Sequence, residues 1–150
     1  MKKKILIIAT IILVPLLALL VVGRTFYPDN VAETSPSGQP KGLITRYYTA
    51  DADTAERAVR EIIPTLRTWG AHWKLVDPGV REGNQIVIKA EVPVVIFTDD
   101  LAVTITYSGE SARVNVRSAS RVGKSDFGEN KRHVEQFLDA LDQKLSQPGR

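Results

Sequence analysis

Residues 113–141 read RVNVRSASRVGKSDFGENKRHVEQFLDAL, a strand pattern, a glycine-containing polar turn and a helix pattern in unbroken succession. Val114 and Val116 alternate with Arg113, Asn115 and Arg117, the two-residue period of a strand with one face buried and one wet. Continued, that period sets Arg117, Ala119 and Arg121 on the polar face and Ser118 and Ser120 on the other. From Val134 the period changes: Val134, Phe137, Leu138, Leu141 and Leu145 recur at the spacing of a helix with one apolar stripe. Asp126 stands at an N-cap position with Glu129 three residues on, an Asp version of the capping box worth about 1 kcal/mol, so the helix is expected to start near Phe127.

Working outward, Leu101, Val103, Ile105 and Tyr107 alternate as cleanly, and the turn at 108–111 returns the chain into the 113–120 strand. If Tyr107 pairs with Ala112, then Ile105 faces Val114 and Val103 faces Val116; a slip by one residue would turn the apolar set to water. The same ladder sets Asp100 opposite Ala119 with Arg117 and Arg121 as diagonal neighbours, a carboxylate between two guanidiniums. Asp99 falls opposite Ser120 on the other face, near the helix start at Asp126.

Earlier in the chain, residues 43–50 suit a first strand. Residues 53–69 suit a helix with Ala55, Ala58, Val59, Ile62, Ile63 and Leu66 as its stripe, Asp53 and Glu56 as its capping pair and Gly70 as terminator. Pro64 should kink it or end it early. Strands are expected over 71–76 and 85–92, around an Asp-Pro-Gly turn at 77–79, and Pro93 marks a bulge or an edge. The class is therefore α+β: a two-layer antiparallel sheet covered by two helices, in the order β-α-β-β-β-β-α. This order is similar to the helix-grip and TATA-binding-protein-like folds, an analogy without functional content.

Arg117, Ser118, Ser120, Arg121, Gly123, Asp126, Gly128 and Asn130, with Phe97, Asp99 and Asp100 upstream, together carry a resemblance. Their spacing resembles the signature of the family catalogued as domain of unknown function 1499, loosely over residues 42–146. His133 stands where members usually carry an arginine, and the cysteine-containing segment that often precedes the domain is not seen. The resemblance implies a fold and a membrane-anchored or exported location, with no established activity.

The chain opens with Met1 and three lysines, then runs apolar from Ile5 to Gly23, broken only by Thr10 and Pro15. As a helix this run reaches about 28 Å, close to the hydrocarbon thickness of a bilayer. Residues 1–24 are thus expected to be a single-pass anchor in the cytoplasmic membrane, with the N-terminus inside and the rest extracytoplasmic, a cell-envelope or periplasmic location. The rival reading is a cleaved signal peptide. Residues 25–41, rich in Pro, Ser and Gly, suit a flexible linker, and 42–150 the folded domain, about 105 residues of it ordered enough for one modest core. The chain has no cysteine, which excludes disulfides and lipid modification at cysteine. Twenty Lys+Arg stand against 17 Asp+Glu. Lys2, Lys3 and Lys4 account for the difference, so the exported part is neutral, and the pI of 9.3 is a topology signal rather than the footprint of a nucleic-acid binder.

The polar cluster has two readings. In one it is an internal ion-pair network pinning strand ends to the helix start. In the other, Arg117, Arg121, Ser118, Ser120 and Ser125, with Asp99, Asp100, Asp126 and Asn130 around the helix N-terminus, hold a small anion, which the three aspartates would oppose. Gly123-Lys124-Ser125 ends like a phosphate loop, but Ser118 stands where its first glycine belongs, so nucleotide hydrolysis is set aside. His72 and His133 have no partner at metal-ligand spacing, and no metal or cofactor is implied. Asp51 and Asp53 are a weak cation site, since Asp53 is better explained as a helix cap. The function expected is a membrane-tethered envelope module that binds an anionic ligand or an envelope protein. The alternative is a hydrolase using Asp99 or Asp100 with Arg117 and Arg121.

Overall fold

In this computed structural model residues 2–26, 29–76 and 79–146 are described, and for residues 2–9, 20 and 24 the backbone alone. In chain order the elements are α1 (Lys2–Phe26), β1 (Val31–Glu33), β2 (Arg46–Thr49), α2 (Ala52–Ile62), a 3-10 turn (Ile63–Thr65), β3 (Arg67–Thr68), β4 (Ala71–His72), β5 (Lys74–Leu75), β6 (Val80–Glu82), β7 (Gln85–Val94), β8 (Phe97–Ser108), β9 (Ser111–Ser120) and α3 (Glu129–Leu145).

The three long strands β7, β8 and β9 form the antiparallel centre of the sheet. Tyr107 pairs with Ala112, Ile105 with Val114, Val103 with Val116, Asp100 with Ala119 and Asp99 with Ser120, the register that the apolar alternation requires. Ile86, Ile88, Ala90 and Val92 of β7, Leu101, Val103 and Ile105 of β8, and Ala112, Val114 and Val116 of β9 are buried in one core with Val59 and Ile62 of α2 and Phe137, Leu138 and Leu141 of α3. Both helices contact β9 and each other.

The edges are built from fragments. β1 and β2 pair with successive halves of β9, β1 with 117–119 and β2 with 111–114, while β6 and β5 pair with successive parts of β7. The expected order β-α-β-β-β-β-α is thus corrected: two strands precede α2, and four short ones lie between α2 and β7. Strand β1 falls inside the stretch read as a linker. Its Ala32 is buried, and the loop after it is tied down by Ser35 N–H to Leu43 O and Thr45 N–H to Ser35 O. Ser35 and Ile44 make one parallel bridge, so the sheet is mostly antiparallel. β3 and β4 form a separate two-stranded ribbon.

The caps also differ from expectation. Asp51, not Asp53, caps α2, its carboxylate accepting from Thr54 N–H at 2.7 Å. Asp53 pairs with Arg81 instead. Pro64 ends α2 in a 3-10 turn. Pro93 pairs with Thr98 without a bulge; β5 reaches only to Glu91, so the proline faces an open edge where its missing N–H costs nothing. Asp77 and Pro78 of the expected turn lie outside the described residues.

At the N-terminus, α1 is helical throughout, with Pro15 inside it. Among the described residues no helix is long and apolar enough to cross a membrane. The expected transmembrane helix is therefore not found, although the run from Ile5 to Gly23 includes side chains, 5–9 and 20, that are not described. Ile11, Ile12, Leu13, Val14, Leu16, Leu17 and Leu19 of this helix are all exposed.

Candidate functional site

The strand period divides the signature residues between two faces. On the outer face Arg121 reaches Asp100 Oδ1 from Nε at 3.0 Å and from Nη2 at 2.6 Å, and Nη2 also donates to Glu91 Oε1 at 2.7 Å. These carboxylates hold the guanidinium firmly protonated. Arg117, expected on the other side of Asp100, lies instead 3.9 Å from Glu33. The correction follows from β1: Glu33 is its last residue and sits directly opposite Arg117. A three-residue strand has too little period to be read in sequence. The two arginines therefore do not share one carboxylate.

The inner face carries a buried polar chain. Asn130, fully buried in the first turn of α3, accepts from Ser118 Oγ at 2.5 Å and donates through Nδ2 to Ser120 Oγ at 2.8 Å and to Asn30 O at 2.9 Å. Ser120 in turn donates to Asp99. His133, one turn further along α3 and 1% exposed, places Nδ1 3.4 Å from Ser118 Oγ and 3.7 Å from Asp99 Oδ2. Its Nε2 lies 3.7 Å from Glu129 Oε1 and has no hydrogen-bond partner. Because the Ser118 hydroxyl donates to Asn130, it can only accept from His133. The proton of the neutral imidazole therefore sits on Nδ1 and the Nε2 lone pair is left bare. The Trp73 ring meets His133 edge to face at 5.8 Å.

Burial dominates the electrostatics. Desolvation, helped by the nearby Arg132 charge and opposed by Asp126, pulls the His133 pKa down to about 4. Desolvation also raises Asp99, which is 3% exposed; Asp126 and Asp100 add to this rise, while Ser120 and Arg121 oppose it. Glu129, expected to reach back and cap its own helix, accepts instead from Trp69 Nε1 at 3.1 Å and from Arg132. The helix begins two residues later than expected. Gly128 at the N-cap has φ 81°, a left-handed conformation that an L side chain adopts only at a cost.

Asp126 and Ser125 complete the loop. Asp126 accepts from Gly128 N–H at 2.8 Å and Asn130 N–H at 2.9 Å, which pins the helix start from outside it. Ser125 Oγ donates to Gly23 O of α1 at 2.9 Å, and Asn30 Nδ2 donates to Gly123 O at 2.8 Å. The end of α1 rests on this loop so closely that a Cβ at Gly23 would stand 2.5 Å from Phe127 Cζ, so a larger residue there would have to move the Phe127 ring. A cavity of about 390 Å³ opens beside it, lined by Phe26, Asp29, Pro40, Lys41, Asp126, Gly128 and Lys131.

The structure thus brings Asp99, Ser118, Ser120, Asn130 and Asp126 into one hydrogen-bonded unit and Asp100 with Arg121 into another. It sends Arg117 to β1 and Ser125 to α1. Sequence reasoning missed Asn30 and Trp69, and it read Glu129 as a helix cap and left His133 without a partner, because the groups they meet come from distant segments. Serine, histidine and aspartate meet here without forming a catalytic relay. Ser118 and Asp99 both face Nδ1, whereas a relay needs them on opposite ring nitrogens, and Ser118 and His133 are closed off from substrate. Among the described residues no group of three His, Cys, Asp or Glu side chains is placed to hold a metal ion.

Among solved structures, the chain is similar to protein CV1439 from Chromobacterium violaceum (12% identity, 80% of this chain and 100% of that one, TM-score 0.43). It is also similar to TTHA0849 from Thermus thermophilus (11%, 77% and 97%, TM-score 0.32) and to the Zhui aromatase/cyclase from Streptomyces sp. R1128 (10%, 77% and 86%, TM-score 0.27). Likenesses this distant carry no argument about function. No curated protein matches the chain. Residues 27–141, which hold β1, the whole sheet and most of α3, match the family described as protein of unknown function (DUF1499), and the chain belongs to that family.

Proposed function

We propose that this chain is a non-enzymatic interaction module of the cell envelope, held at the cytoplasmic membrane by its N-terminal helix with the α+β domain on the extracytoplasmic side. The observation that carries the non-enzymatic reading is that the signature's polar groups are engaged with one another. Asp100 and Glu91 hold Arg121, Glu33 faces Arg117, and Asn130 joins Ser118, Ser120 and Asn30. An anion at Arg121 would have to displace two carboxylates already in contact with it. The cluster reads as a clasp joining β1, the ends of β8 and β9 and the start of α3, which leaves the ligand for the outer surface, an envelope protein being the class of partner. The hydrolase reading loses support on the same geometry, since Asp99 is buried, Asp100 is neutralised by Arg121 and Arg117 is elsewhere.

The tether is supported by the apolar run Ile5 to Gly23 behind three lysines, and by the exposure of the apolar side chains of α1 from Ile11 to Leu19. Two experiments test the proposal. Glu110→Cys, in a chain with no other cysteine, should react with a membrane-impermeant thiol reagent in cells stripped to the cytoplasmic membrane; protection until the cells are lysed would reverse the topology. Asp100→Asn should leave the cellular phenotype intact at normal abundance. Loss of that phenotype with abundance unchanged would make the carboxylate catalytic.

A further inference from the structure

We infer that the end of the domain nearest α1 carries an apolar rim that rests on the lipid surface, an inference that builds on the membrane tether proposed above. The β7–β8 turn is made of Val95 and Ile96, 71% and 82% exposed, followed by Phe97 at 50%. A two-residue hairpin turn built for folding alone takes residues such as Asn-Gly, which accept a positive φ without strain. Here a β-branched valine is held at φ 50°. No charged residue occurs between Glu91 and Asp99, so nothing keeps this tip in water.

Position gives the tip its occupant. Phe97 begins the segment of β8 whose Asp99 pairs with Ser120, so the tip projects from the end of the sheet where β9 finishes. Val122, also exposed, follows β9 at that end, and Ser125 and Phe127 of the same loop touch Gly23 of α1. The β8–β9 turn at the opposite end, Gly109 and Glu110, is polar. The apolar residues and the exit of the tether therefore share one end of the domain. A bilayer surface is the apolar phase that the tether itself would bring to this end. Lys124, in the loop between Val122 and α3, would supply a cation to the headgroups.

The test uses the full chain in phosphatidylcholine vesicles containing acyl-brominated lipid, with an environment-sensitive fluorophore at Ile96→Cys, at Val122→Cys, or at Glu110→Cys as the far-end control. The expected result is a blue-shifted emission that loses intensity to bromine at Ile96 and Val122, and neither change at Glu110. Flotation of the same vesicles reads the tether separately. If the protein floats and the three labels behave alike, the rim is overturned and the tether stands. If the protein fails to float, both fall. A blue shift without quenching places the tip against protein, such as a second copy, and also overturns the inference.

Discussion

At the scale of single residues, His133 is a buried titratable group that burial holds in its neutral form. Its folded pKa of about 4 lies below the ordinary histidine value of 6.5, so the unfolded chain takes up a proton that the folded one refuses. The contribution is fully present above pH 6.5 and is lost as pH falls toward 4, by up to about 3 kcal/mol. Asp99, raised by burial, acts with the opposite sign and offsets part of that loss. Denaturant unfolding across this range should show the fall, and His133→Asn should flatten it; an unchanged slope in the variant would remove His133 as the cause. The two arms of the cluster should also separate. Asn130→Ala removes the buried junction of three hydrogen bonds and should cost about 2–3 kcal/mol. Arg121→Ala, on the solvent face, should barely move the unfolding midpoint. Equal losses would mean that the outer pair is as structural as the inner chain. The Asp100–Arg121 pair was legible in sequence because both residues lie on one readable ladder. The centrality of His133 was not, because Asp99 and Ser118 approach it only through packing of α3 on the sheet.

At the scale of elements, legibility followed length. β8, β9 and the apolar stripe of α3 run long enough for a period to declare itself, and their register came from matching apolar faces. β1, with three residues in a Pro-, Ser- and Gly-rich stretch, and β3 to β6, with two or three each, have no period to read. β1, β5 and β6 exist because a longer strand offers them hydrogen bonds, and β3 and β4 because they pair with each other, a tertiary cause that local sequence does not encode. The start of α3 was misread by two residues for a related reason. Asp126 caps from beyond the helix, and Gly128 makes the left-handed step between them. Gly128→Ala should cost about 1–2 kcal/mol, and Gly128→Asn clearly less, by thermal or denaturant unfolding. A neutral alanine would show that the entry geometry relaxes freely.

At the scale of the molecule, the ordered unit begins before the linker was expected to end. A fragment starting at Asp29 keeps β1, the Asn30 carbonyl that accepts from Asn130, and buried Ala32 and Thr34. One starting at Lys41 loses all of them and should be less stable by about 3 kcal/mol or more in denaturant unfolding. Equal stability would return residues 29–40 to the role of a tether. The divided edges of the sheet have a further consequence. β1 and β2 block the outer side of β9, and β5 and β6 that of β7, each in pieces of two to four residues interrupted by loops. A neighbouring chain arriving side by side finds no long run of unpaired backbone to extend, so copies at high local concentration can collide repeatedly without polymerising strand upon strand.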